Sequence, residues 1–174
     1  MRGGIVVVLE NRAKADGNSI YDQVSDNTQV FGWDKRNQIN EAGVDKKRLK
    51  NATAGTIEGI LVDNSEKDYS GGGYYWQGTD FEKHTAKSNA YELFYLNEGF
   101  HFTKKSHDIW GLGDNKVPGS HVIYPLIPGS TTKHQKVTAT WNYKYESTGT
   151  GGKTTFMKLT EDYRLGQDNK PAKY

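Results

Sequence analysis

The sequence predicts an α+β fold that is helical first and closes in one small antiparallel sheet. Two observations carry that prediction. Apolar residues recur at helical spacing early in the chain, as in Ile5, Val8, Leu9 and again in Ile57, Ile60, Leu61. After Gly99 the period falls to two, in Phe100-His101-Phe102-Thr103 and across 137–145. A chain of 174 residues suits one domain. That domain is expected over 1–164, with an irregular excursion at about 113–136 and a polar, frayed tail at 165–174.

Residues 4–14 are read as a helix, although Val6 and Val7 would also suit a buried strand. Polar Glu10-Asn11-Arg12-Ala13-Lys14 continues the pattern, and Asp16-Gly17-Asn18 stops it. The pattern is already running at residue 5, as in a helix cut from a longer one. Ser19 is placed to cap a short helix or turn over 19–24. Residues 29–34 read as an apolar patch in a loop, and 40–50 as a solvated helix. Residues 52–62 read as a helix that packs on the first through matching apolar stripes. Gly71-Gly72-Gly73 marks a turn, and Tyr74-Tyr75-Trp76 is a short aromatic strand. Residues 86–96 look helical, with Ala90, Leu93 and Phe94 on one face. Strands follow near 100–103, 137–145 and 154–159, forming one antiparallel sheet. Pro118, Pro125, Pro128 and Pro171 are the four prolines, and their crowding after residue 117 is what makes 113–136 irregular.

Composition excludes several classes of function. No stretch approaches the ~20 apolar residues of a membrane span; the longest run is Ile5-Val6-Val7-Val8-Leu9. No basic region followed by an apolar one opens the chain as a secretory signal would. Lys plus Arg (23) against Asp plus Glu (21) leaves a net charge of +2, which argues against nucleic-acid binding through bulk charge. Without cysteine there is no disulfide, no cysteine-based zinc site and no thiol catalysis. The apolar fraction is 34% and the mean hydropathy −0.84, so the core must be lean. Eleven Tyr and four Trp stand beside twenty Gly. Such rings suit carbohydrate clefts and interfaces, and equally suit the core of a protein short of Leu and Ile.

Five histidines, His84, His101, His107, His121 and His134, are spread too widely for a tight metal motif. His107-Asp108 offers a base beside a carboxylate, but sequence neighbours often point apart. Residues 149–155 invite a phosphate-loop reading, yet lack the GxxxxGK[ST] spacing and open no helix. Carboxylates are the better lead: Glu10, Glu58, Asp63, Glu66, Asp68, Asp80 and Glu82 lie in or beside the glycine-aromatic segment. Cleaving a sugar bond needs a carboxylic acid whose pKa an apolar wall raises, and aromatic neighbours supply such a wall.

The order of segments then matters. Val6-Val7-Val8-Leu9-Glu10-Asn11-Arg12, Asn18-Ser19-Ile20-Tyr21-Asp22-Gln23-Val24, Gln29-Val30-Phe31, the helix at 52–61 and Asp68-Tyr69-Ser70-Gly71-Gly72-Gly73-Tyr74-Tyr75-Trp76 follow one another. Over about residues 4–80 this resembles the spore-cortex-lytic (SleB-like) family of cell-wall hydrolases. The resemblance implies a lysozyme-like fold for the helical part and cleavage of the peptidoglycan glycan strand, as a lytic transglycosylase or muramidase. It implies action outside the cytoplasm, in the periplasm or after secretion, and no metal or organic cofactor.

Asn11 and Arg12 match the family's Asn-Arg pair; Asp68, Gly71 and Gly72 match its turn, and Tyr74 and Tyr75 its aromatic strand. Tyr69 stands where the family usually has proline. The family's catalytic Glu lies on a helix before the hydrophobic segment, and no residue here matches it. Two explanations are expected: that the sequence starts after that helix, or that another acid, Glu10 or Glu58, stands in. The glycan-binding set is expected to be Asn11, Arg12, Asp68, Gly72, Tyr74, Tyr75 and Trp76, in a cleft where Asp68 is one candidate partner for Arg12. Two other readings stand beside this one. The chain is a non-catalytic glycan-binding or phage/injection-apparatus module, or it is a secreted toxin domain using His107 or His101 as base.

Overall fold

The structure is a computed structural model and describes residues 4–25, 46, 50, 68, 70–78, 91–167 and 174. The expected helix at 52–62 and its packing, the loop at 29–34, Glu58, Asp63, Glu66, Asp80, Glu82 and His84 lie outside the described residues.

Two helices open the described chain: α1 (Gly4–Asp16) and α2 (Ile20–Ser25). Helix α1 ends as the Asp16-Gly17-Asn18 signal demands. Gly17 takes φ +69, and the amides of Asn18 and Gly17 bond the carbonyls of Ala13 (3.0 Å) and Lys14 (3.4 Å), a Schellman closure. Ser19 then caps α2: its Oγ accepts from the Asp22 amide at 3.2 Å, and Asp22 Oδ2 accepts from the Ser19 amide at 2.9 Å. The buried face of α1 is Gly4, Val7, Val8, Leu9, Arg12 and Ala13. Ile5, expected on that face, is 41% exposed. The helix is rotated because Gly4, lacking a side chain, seats against the Phe156 ring, and this turns Ile5 outward.

The strands are β1 (Tyr75–Gln77), β2 (Phe100–His101), β3 (Gly119–Ile123), β4 (Val137–Trp141), β5 (Tyr145–Gly151) and β6 (Thr154–Leu159). They form two sheets instead of one. The larger has the order β1-β6-β5-β2, with β2 parallel to β5 and the other neighbours antiparallel; β3 and β4 form a separate antiparallel pair. The alternating run 137–145 is therefore two strands. It breaks because its middle amides and carbonyls are diverted: Val117 N donates to Asn142 O (2.9 Å) and Lys144 N to Glu98 O (3.1 Å). The stretch 113–136 is more regular than expected. It contains β3, and an arm closed by Ile127 N to Lys133 O (2.8 Å) and Gln135 N to Pro125 O (3.0 Å). Its prolines flank the ladder, where a missing amide costs nothing. The glycine-rich stretch 149–155 is the β5–β6 hairpin, turning at Gly152 with φ +62.

A short π-helix (Tyr91–Asn97) precedes β2, and α3 (Glu161–Leu165) follows β6. The π-helix turns Tyr95 inward and packs Phe94 against the same core, as expected of Phe94, but leaves Leu93 of the expected face 48% exposed; Ala90 lies outside the described residues. The core is aromatic: Tyr95, Phe100, Phe102 and Tyr145 pack with Met157 and Leu159. Many of the rings noted in the sequence thus serve packing. Among the described residues no helix is long and apolar enough to cross a membrane.

Candidate functional site

Residues 70–73 form a tight turn that leads into β1. Asp68 holds it closed: Oδ1 accepts from the amide (2.8 Å) and hydroxyl (2.6 Å) of Ser70, and Oδ2 from the amide of Gly72. Both carboxylate oxygens are thereby spent on the turn. The turn docks on the sheet where β5 bulges, with Thr148 Oγ1 donating to Ser70 O at 2.6 Å. It docks on α1 through Asn11, whose Nδ2 donates to Gly73 O (3.1 Å) and Ser70 Oγ (3.4 Å).

One turn of helix beyond the buried Val8, Arg12 is 5% exposed. Its guanidinium lies 5.7 Å from the Tyr75 ring and 5.6 Å from that of Tyr174, a cation between two π faces. The expected Arg12–Asp68 pairing is absent among the described residues, because Asp68 is committed to backbone amides. Tyr174 is the residue sequence reasoning missed. Its ring stacks on Tyr74 at 5.0 Å and meets Tyr75 edge-on at 5.9 Å, and its hydroxyl donates to Asp16 Oδ2 at 2.7 Å. Tyr174 lies in the tail expected to fray, and is itself seated at this point. No local signal marks it, because the contacts span most of the chain.

The expected cleft is therefore a packed seam. Asn11, Arg12, Asp68, Gly72, Tyr74 and Tyr75 do come together, but Arg12 is buried and Tyr75 half-buried against it. Burial pushes the Tyr75 phenol up to about 12 against the opposing Arg12 charge. Trp76 points to the other side of β1, paired across the ladder with Phe156; it is half-buried and has no ring partner among the described residues. Glu10 is partly exposed on α1 beside Asn11.

The histidine alternatives separate sharply. His107 is 8% exposed, with Nδ1 2.9 Å from Ser147 Oγ and 3.2 Å from Thr103 Oγ1. Burial, and then the Lys104 charge, lower its pKa. It braces the loop after β2 against β5. Asp108 does not orient it; that carboxylate bonds the amides of Leu112 (2.9 Å) and Gly113 (2.8 Å). His101 has a different carboxylate: Nδ1 lies 2.7 Å from Asp114 Oδ2, while Asp114 Oδ1 accepts from the Phe102 amide at 2.8 Å. The imidazole stacks on Tyr143 at 5.1 Å and stays half-exposed. Among the described residues no three His, Asp or Glu side chains gather as a metal site. No protein-family model, curated protein or solved structure matches the chain.

Proposed function

We propose that the chain is a peptidoglycan-directed domain of the cell-wall hydrolase type, lysozyme-like in its helical part, that meets the glycan strand along the α1–β1 seam. The observation that supports this most is the Asn11 tether. It joins two segments about sixty residues apart, α1 and the 70–73 turn, that carry the family resemblance. Trp76 is the ring of β1 left for a sugar face, and Glu10 is the acid beside the tether. In such a domain a Glu protonates the leaving glycosidic oxygen, and water or the muramic C6 hydroxyl completes the cleavage. Activity of this chain is expected to be weak, because none of its residues matches the family's acid.

The test is clearing of a peptidoglycan suspension, with product analysis for anhydro-muramic ends, beside co-sedimentation with the insoluble polymer. Weak clearing that Glu10→Gln abolishes, and co-sedimentation that Trp76→Ala reduces, support the reading. A chain that neither sediments nor clears overturns it. A second reading, hydrolysis with His101 as base, draws on the His101–Asp114 contact, which leaves Nε2 as the free proton acceptor. It predicts that His101→Ala, and not Glu10→Gln, removes whatever hydrolytic activity is found.

A further inference from the structure

A second concavity lies away from the seam, where the β3–β4 pair meets α3. It is an open depression of about 440 Å³ whose lining includes Ser120, Thr140, Trp141, Asn142 and Asp162 beside Pro118 and Gly119, with no residue of α1 or β1. Small-ligand sites occupy about 300–1,000 Å³, so the space is adequate. Trp141 is held firmly at its wall. Gly119 stands opposite it in the ladder, and any Cβ there would overlap the indole. Gly166 abuts the far end of the ring, and Tyr163 meets it edge-on at 5.1 Å and 84°. Two glycines and one ring therefore fix the indole before any ligand arrives.

The polar side chains around it are uncommitted. The hydroxyls of Ser120 and Thr140, the Asn142 amide, the Asp162 carboxylate and the Trp141 N–H have no hydrogen-bond partner among the described residues. The lining carries one carboxylate and no Lys, Arg or His. That charge repels phosphates and other anions, and so dense a polar lining disfavours a lipophilic guest. One indole without further rings makes no cage for an ammonium group. A pyranose fits what remains: its C–H face lies on an indole, and its hydroxyls both donate and accept, as the amide, carboxylate and hydroxyls require.

We propose that this pocket binds a neutral saccharide, its ring on Trp141 and its hydroxyls on Asn142 and Asp162. The inference stands on this lining alone and does not rest on the α1–β1 reading. If both hold, one glycan strand is gripped at two points, which raises the local concentration of the second contact.

The experiment is an amide and indole N–H NMR titration of the full chain with the N-acetylglucosamine tetramer, and separately with choline. Saturable shifts are expected at the Trp141 indole and the amides of Ser120 and Asn142. Asn142→Ala and Asp162→Asn alter exposed side chains, so the remaining spectrum should be unchanged. Each should weaken binding about 3- to 10-fold, the loss of one hydrogen bond. Saccharide shifts confined to α1 and β1 overturn this proposal while supporting the seam. Stronger response to choline than to saccharide also overturns it, as does unaltered affinity in both variants.

Discussion

Asn11 shows how one polar side chain on a helix can set tertiary position. Its amide donates to a backbone carbonyl and a hydroxyl, so an isosteric carboxylate would set acceptor against acceptor. Asn11→Asp is therefore expected to destabilise more than Asn11→Ala, whose cost is about 1 kcal/mol before the better helix propensity of Ala is counted. Urea midpoints for the two variants check the order, and the reverse order would remove Asn11 as a tether. His107 makes a pH prediction. Its folded pKa is depressed below 6.5 by burial and Lys104, so the unfolded chain binds the proton better. Its contribution is full above that value and is lost as pH falls from 6.5 towards the folded pKa. The parent should lose stability through this window and His107→Asn should lose less; superimposable profiles from about pH 8 to pH 5 would sink the idea.

At the scale of elements, the 70–73 turn and the β5 bulge are one construction. Gly71 and Gly72 both have positive φ, +61 and +80, yet they are not equivalent. A Cβ on Gly71 would strike the Thr148 carbonyl at the bulge, whereas one on Gly72 would meet nothing. Gly72→Ala should cost about 1 kcal/mol, the backbone penalty alone. Gly71→Ala should cost about 2–4 kcal/mol, because overpacking against rigid backbone is added. Thermal or urea unfolding of both variants measures the difference, and equal losses would mean that the turn does not lean on the bulge.

Across the whole molecule, tyrosines share the core with phenylalanines and a few aliphatic residues, and the phenols that packing shields carry an alkaline liability. Burial raises the phenols of Tyr145, Tyr95, Tyr143 and Tyr174, and moves Tyr75 from 10.0 to about 12. A raised folded pKa gives stability that is full below 10.0 and is lost as pH climbs towards about 12. Phenolate absorbance should therefore show a late component that appears together with loss of the near-ultraviolet dichroism. Tyr75→Phe, which gives up only a 3.4 Å bond to the Tyr174 carbonyl, should push that unfolding to higher pH. Full tyrosine ionisation within an intact fold would contradict the coupling of phenol burial to the fold.

Local chemistry alone determined that α1 stops at Gly17, that Ser19 and Asp22 start α2, and that β1 and β6 are strands. Each is written in fewer than ten consecutive residues, where caps, left-handed glycines and period-two alternation act. Alternation states which side chains share a face and is silent on the partner strand. Only the tertiary structure decided that 137–145 divides between two sheets, that β2 runs parallel to β5, and that Gly4 instead of Ile5 faces the sheet. The candidate sites follow the same rule. Asn11, Arg12 and Tyr75 could be named from the sequence, because short motifs carried them. Tyr174 on β1 and Asp114 on His101 lie 99 and 13 residues from the groups they bond. Contacts at such separations are chosen by packing the whole chain, since no local signal records which distant groups the closed fold will bring together.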